Sequence, residues 1–250
     1  MRPKTKEEIE AMREGGSMLA KVLDRLEKAI SPGMSTKDLA NIAREEIKKL
    51  GGQPAFLGHE NFPDVMTVSI NDEIVHAIPS DKKIIEDGDV VGLDFGVTYK
   101  GLNTDGAVTV YVGEKPPADI CKLLDSTKSA LNAGIDAIKG DGTRVGDISA
   151  AVQEVLDKAG LGIIRDLVGH GVGDKIHENP NIPNYGVAGT GTKLSAGQTI
   201  CIEPMASLGD WRIKTAEDKW TVVMADGSLS AHFEHTVLVT DKGSEILTQA

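Results

Sequence analysis

Asp89-Val90-Val91-Gly92-Leu93-Asp94-Phe95-Gly96-Val97 and Leu102-Asn103-Thr104-Asp105-Gly106-Ala107-Val108-Thr109-Val110-Tyr111-Val112 are the stretches on which the reading of this chain turns. Both alternate strictly enough to be strands, and the four residues between them are too few for anything but a hairpin. With Tyr99 and Lys100 as the central turn residues, Asp94 is expected to face Asp105 across the ladder, with Cβ atoms about 5 Å apart. Gly92, Asp94 and Gly96 fall on one face, and Val91, Leu93, Phe95 and Val97 on the other. Two carboxylates so placed repel by roughly 3 kcal/mol at an effective dielectric of 20, which a cation or a shared proton would offset. The same residues also admit a plainer reading, with Asp105-Gly106 as a turn and Asp94 at a strand end.

Working outward, Thr5 with Glu8 forms a capping box that opens a helix over Ile9, Met12, Leu19, Val22, Leu23, Leu26 and Ile30, closed by Pro32-Gly33. Ser35 with Asp38 opens a second helix ending at Gly51, and strands fill about Val65 to Val112. A third helix is expected from Pro117 to about Lys139 and a fourth from about Gly146 to Ala159, ending at Gly160. Residues 163–240 again read as short strands between Gly- and Pro-containing loops.

The second half echoes the first. Gly33, Asp38 and Leu39 recur 109 positions later as Gly142, Asp147 and Ile148, and the same offset carries Gly88 onto Gly197 and Asp94 onto Glu203. Each half is therefore helix, helix, strands, and the expected fold is α+β: two pseudo-symmetric halves, a curved antiparallel sheet with helices outside and a free concave face. One catalytic domain over residues 1–250 is expected, with halves of about 1–113 and 114–250 and a seam in Gly113 to Pro117.

Composition sets the boundaries of function. Of the 250 residues 40% are hydrophobic and 26% charged, so a sizeable core is available, and a net charge of −11 argues against broad nucleic-acid affinity. Aromatic residues are only 4%, too few for stacking platforms on single strands. Cys121 and Cys201 lie eighty residues apart with no CxxC pair, which points to a reducing compartment rather than a disulfide framework. The opening MRPKTKEEIEAMREGG is charged, unlike a signal peptide, and no run approaches the length needed to span a bilayer, so a cytoplasmic protein is expected.

Glu203 in Thr-Ile-Cys-Ile-Glu-Pro and Glu234 in His-Phe-Glu-His-Thr-Val are acids inside apolar, β-prone runs, where an unpaired charge is expensive. Either a metal ligand or a salt-bridged strand-end acid fits each. His170 sits in Gly-His-Gly-Val-Gly, where the backbone can approach closely; taken alone it reads as a packed or loop residue, as do His76 and His177. His59, His232 and His235 read as structural or surface residues, and Cys201 as a small core residue. Nothing matches a nucleophile elbow, Walker loop or Rossmann fingerprint.

Together, Ser69-Ile70-Asn71-Asp72-Glu73-Ile74-Val75-His76-Ala77-Ile78-Pro79, Leu93-Asp94-Phe95-Gly96, Asn103-Thr104-Asp105-Gly106, Gly169-His170-Gly171-Val172-Gly173, His177-Glu178-Asn179-Pro180, Ile202-Glu203-Pro204-Met205 and Glu234-His235-Thr236 make the chain resemble type I methionine aminopeptidases, pita-bread metallopeptidases. The resemblance covers almost the whole sequence. It implies removal of initiator methionine from nascent polypeptides by a dinuclear-metal-activated water. It further implies Asp94 on one metal, His170 and Glu203 on the other, and Asp105 and Glu234 bridging; Mn²⁺, Fe²⁺, Co²⁺ and Zn²⁺ all suit such a set. Glu203 would also shuttle a proton, and His76 and His177 would contact the peptide. The methionine pocket implied is His59, Phe62, Thr67, His76, Ile176, His177 and Trp220. Many bacterial relatives carry tyrosine, cysteine and phenylalanine where this chain has His59, Thr67 and Ile176, so altered side-chain tolerance is expected. The 25 residues between His177 and Glu203 leave no room for the extra helical subdomain of type II enzymes. The short, bacterial-style form is therefore expected, a monomer without a membrane partner. Arg212, Lys214 and Lys219 form a modest basic run whose ribosome contact is one reading and a solvated loop the other.

Overall fold

The structure, a computed structural model, describes residues 1–249. Four helices, α1 (Lys6–Ala29), α2 (Thr36–Leu50), α3 (Ala118–Asp136) and α4 (Val145–Ala159), carry the outer layer. Both sequence-read caps form: Thr5 and Glu8 satisfy each other's backbone N–H groups at the start of α1, and Ser35 and Asp38 do so at α2. The helices α2 and α4 stop at Gly51 and Gly160, each in the left-handed region that closes a helix without a Cβ penalty.

The strands that position the site are β1 (Gln53–Pro54), β2 (Thr67–Ile70), β3 (Val90–Tyr99), β4 (Leu102–Tyr111), β5 (Gly169–Gly171), β6 (Glu178–Ile182), β7 (Thr199–Ile202), β8 (Met205–Ser207), β9 (Ser230–His232), β10 (Glu234–Val239) and β11 (Ser244–Ile246). The main sheet is nine-stranded, in the order β1-β3-β4-β10-β7-β5-β6, with β2 on β3 and β11 on β10. Its pairs are antiparallel. A smaller three-stranded sheet joins β9, β8 and Gly162–Ile163.

Period-two alternation decides which face the helices cover. Val91, Leu93, Phe95 and Val97 of β3 pack with Leu19, Val22, Leu26, Leu39, Ala43 and Ile47 of α1 and α2. Ile200, Ile202, Val237 and Val239 of β7 and β10 pack with Leu123, Leu131, Ile135, Ile148, Val152 and Leu156 of α3 and α4. Leu19, Leu93, Phe95, Ile148 and Leu156 are all fully buried. With both helix pairs on that face, Asp94, Cys201, Glu234 and Thr236 are left pointing to the other.

The 109-residue echo is a structural repeat. Ser35 bridges Ile84 in the first half and Arg144 bridges Lys193 in the second, and Gly33 N–H donates to Ile85 O as Gly142 N–H donates to Leu194 O, both at 2.8 Å.

The hairpin register differs from the sequence expectation. Tyr99 pairs with Leu102, so the turn is Lys100-Gly101, one residue later than Tyr99-Lys100. Both residues have positive φ, 50° and 80°, the backbone of a type I′ turn that matches strand twist. Asp94 consequently faces Ala107 and Asp105 faces Gly96. The slip keeps parity, so both aspartates share a face, as diagonal neighbours rather than as an opposed pair. The openness at Gly96 is also taken up: a Cβ there would lie 2.7 Å from Phe56 Cε1 and 3.0 Å from Ala55 Cβ. Glycine at 96 makes room for the Ala55-Phe56 segment, whose Phe56 lines the cavity described below.

Candidate metal centre and substrate cavity

Two adjacent rows across the sheet collect the acids. Asp94 pairs with Ala107, which pairs with Glu234, and β10 continued in register onto β7 places Glu203 next. The neighbouring row runs through Gly96, Asp105, Thr236 and Cys201, tied by an Asp105 N–H···Oγ1 Thr236 bond and a Thr236 O–H···O=C Asp105 bond, each 2.8 Å. Strands lie about 4.8 Å apart, so side chains from four strands reach one centre.

Ligand-type atoms of Asp105, His170, Cys201 and Glu234 lie within 4.8 Å of one another, all buried. Glu203 stands between two imidazoles, its Oε1 3.4 Å from His170 Nε2 and its Oε2 3.5 Å from His232 Nε2. Asp94 accepts from Thr67 Oγ1 at 3.5 Å through one oxygen, while its Oδ1 and Glu234 Oε1 are buried without a hydrogen-bond partner. No lysine or arginine lines the cavity among the described residues.

That environment holds the carboxyls in their neutral form in the absence of an ion. Burial, reinforced by Asp105 and Glu203, drives the Asp94 carboxyl well above its ordinary range. Burial and then Glu203 push Asp105 up to about 8, and burial alone pushes Glu203 up to about 8. Glu234 rises for the same reasons, burial first and then Asp105, Glu203 and Asp94. The imidazoles move oppositely, because burial disfavours their cation: His170 and His232 fall to about 3 and His76 to about 4.

His170 turns a free ring nitrogen toward the acids. Its Nδ1 lies 3.0 Å from the Gly171 carbonyl, which can only accept, so Nδ1 carries the proton and Nε2 offers its lone pair to the acids. Four buried carboxyls, two of them (Asp94 and Glu234) with an orphaned oxygen, one correctly tautomeric imidazole and no compensating cationic side chain fit a divalent cation held by hard oxygen donors and nitrogen.

A cavity of about 270 Å³ opens beside this cluster, and His59, Phe62, Thr67, His76, His177 and Trp220 line it with the acids. Phe62 and Trp220 meet edge to face at 5.2 Å, forming an apolar end. His177 touches both His170, at 4.5 Å between rings, and His59, with Nδ1 3.3 Å from His59 Nε2. His76 holds a φ of 62°, a strained conformation for a residue with a Cβ and one that cavity-lining residues retain where the surroundings impose it.

Residues 10–241 match metallopeptidase family M24. The chain belongs to that family. This M24 metallopeptidase is 43% identical to a methionine aminopeptidase of Clostridium acetobutylicum over 96% of both chains. It superposes on the crystal structure of a methionine aminopeptidase from Thermotoga maritima with a TM-score of 0.97 at 45% identity, covering all of both chains. A prolidase from Pyrococcus furiosus superposes with a TM-score of 0.80 at 27% identity, over 99% of this chain and 65% of the prolidase. The fold of the M24 chain is thus the α+β pita-bread fold.

Three positions in the M24 chain carry more than the sequence announced. Ile176 does not line the cavity with the other pocket residues. It is 4% exposed among Ala11, Met12, Leu102 and Val172, and it edges a second cavity that shares His59, Glu60 and His177 with the first. Its side chain turns into the core beneath α1 while the next residue, His177, turns to the site. Of the two readings of His232, structural or surface, the buried one holds: it is 3% exposed, its Nε2 has no hydrogen-bond partner, and it faces Glu203 and, at 3.9 Å, Glu234. Its place two residues before Glu234 was the available signal, but Phe233 and Glu234 leave the pairing of β9 with β8 unreadable from sequence. Cys201 is the third: it is the small, fully buried core residue expected, and its thiol also lies within the donor cluster.

No helix of the described residues is long and apolar enough to cross a membrane.

Proposed function

We propose that this chain is a type I methionine aminopeptidase that removes the initiator methionine from nascent polypeptides in the cytoplasm, acting as one catalytic domain whose halves meet near Gly113 to Pro117. The observation that carries the reading is the buried acid cluster, with orphaned oxygens on Asp94 and Glu234, opening directly onto a cavity whose other end is the Phe62–Trp220 pair. An unbranched thioether is a good partner for such an aromatic end.

Asp94, Asp105, His170, Glu203 and Glu234 would hold two divalent ions, with Asp105 and Glu234 shared. When bound, these ions polarise the scissile carbonyl and acidify water. The protein's own groups do the rest. Glu203, held between two imidazoles, accepts a proton at its carboxylate and returns it to the leaving amine. His76 and His177 are neutral at pH 7, because burial lowers both, and their ring N–H groups can donate to the oxygen on which charge develops. Phe62, Thr67 and Trp220 bound the methionine side chain, and His59 steadies His177. The basic run Arg212, Lys214 and Lys219 would serve transient ribosome contact by a monomer.

Release of free methionine from Met-Ala-Ser by chelator-stripped protein tests this, with Mn²⁺, Co²⁺ or Fe²⁺ added back and Asp105→Ala as the control. Metal-dependent release that disappears in the control is the expected result. Metal binding without release, or equal cleavage of Leu-Ala-Ser, would overturn it.

A further inference from the structure

We propose that Cys201 is a conditional metal ligand, whose Sγ joins the coordination shell when the ion is thiophilic, such as Cd²⁺ or Zn²⁺, and stays out of it when the ion is Mn²⁺ or Fe²⁺. The inference rests on the metal centre proposed above and extends its ligand set. Sγ belongs to the compact group of four donors, with Asp105, His170 and Glu234, whose ligand atoms all lie within 4.8 Å of one another. Glu234 in that group keeps one oxygen, Oε1, buried and without a partner.

Ligands on a tetrahedral ion with metal–N, metal–O and metal–S bonds of about 2.0 to 2.3 Å stand roughly 3.5 Å apart, so modest side-chain rotation closes the group. The thiol already faces this group: its polar neighbours are Glu234 and Thr236 Oγ1, the latter at 3.6 Å with its own hydrogen committed to the Asp105 carbonyl. β7 fixes the direction, because Ile200 and Ile202 are turned to α3 and α4 and Cys201 to the acids.

The choice of ion follows from charge. A thiolate adds one more negative charge to the floor of carboxyls formed by Asp105 and Glu234. A hard ion gains little from sulfur and leaves the S–H intact; a soft ion forms a strong metal–S bond. As that bond forms the S–H bond breaks, and the proton passes to water with no change of oxidation state.

Metal-stripped wild type, Cys201→Ser, Cys201→Ala and Cys121→Ser proteins are titrated with Cd²⁺, following the ultraviolet thiolate-to-cadmium charge-transfer band and the metal content of the recovered protein. The band is expected to saturate near one ion in wild type and in Cys121→Ser, and to be absent from both Cys201 variants. Cadmium affinity should fall on the order of tenfold or more in those variants while Mn²⁺ affinity stays within about twofold. Two substitutions guard against one that fails to fold, with circular dichroism as the check. Bound cadmium without the band in wild type, or a band that survives loss of Cys201, overturns the assignment. If no cadmium or manganese binds at all, it is the metal centre itself that fails, and methionine release assayed in parallel separates that case.

Discussion

Stripping the ion from this site should create a stability profile with an alkaline limb that metal restores. Asp105 and Glu203 each sit near 8 in the folded, ion-free protein, against ordinary values of 3.8 and 4.5. Between pH 7 and 9 the unfolded chain has already lost both protons while the folded chain gives them up only across this window, so stability falls as pH rises. A single group at about 8 loses about 1.4 kcal/mol across that window, and two independent groups about 2.7 kcal/mol. For a chain of this size that is a fall in Tm of roughly 3 to 10 °C. The window must start at pH 7, because the histidines act in the opposite direction below it. His170 and His232 near 3, and His76 and His235 near 4, are neutral when folded but protonate when unfolded below 6.5, so stability is also lost on acidification. Below pH 7 the loss from the histidines and the gain from the four raised carboxyls oppose each other, so the alkaline limb carries the test. Scanning calorimetry on stripped and Mn²⁺-loaded protein reads that limb, and the loaded protein is the baseline for general alkaline effects. Asp105→Asn should remove about half of the alkaline fall. A stripped protein with a Tm flat from pH 7 to 9, or one that falls equally with Mn²⁺ bound, would refute the reasoning that burial in this site holds these protons.

Two further perturbations probe the framework. His232→Leu removes the imidazole facing Glu203 Oε2 and should weaken Mn²⁺ binding by about 10- to 100-fold in calorimetry, whereas His232→Gln, which keeps a donor, should retain most of it; equal loss in both would show that only packing matters there. Gly169→Ala places a Cβ 2.4 Å from the Cys201 carbonyl oxygen, so β5 must move off β7; about 1 to 3 kcal/mol of stability should be lost in urea unfolding, with metal affinity reduced because His170 is carried along.

What the sequence determined by itself was what local chemistry controls. Capping pairs Thr5–Glu8 and Ser35–Asp38 set helix starts because the side chains and the N–H groups they satisfy are three residues apart. Alternation in Val90–Tyr99 assigned faces because successive side chains must point oppositely, and the 109-residue echo announced two like halves. The tertiary structure alone decided how strands meet. Turn placement at Lys100-Gly101 rather than Tyr99-Lys100 moved Asp94 from Asp105 to Ala107, a choice made by backbone twist that either dipeptide could have signalled. Ile176 and His177 are adjacent in sequence, yet one enters the core under α1 and the other the cavity, because long-range packing partners, absent from any local window, settle which way each turns. His232 and Cys201 joined the acids for the same reason: β9 and β7 bring them beside residues as far as 96 positions away (Cys201 beside Asp105), and that proximity is a property of the folded sheet.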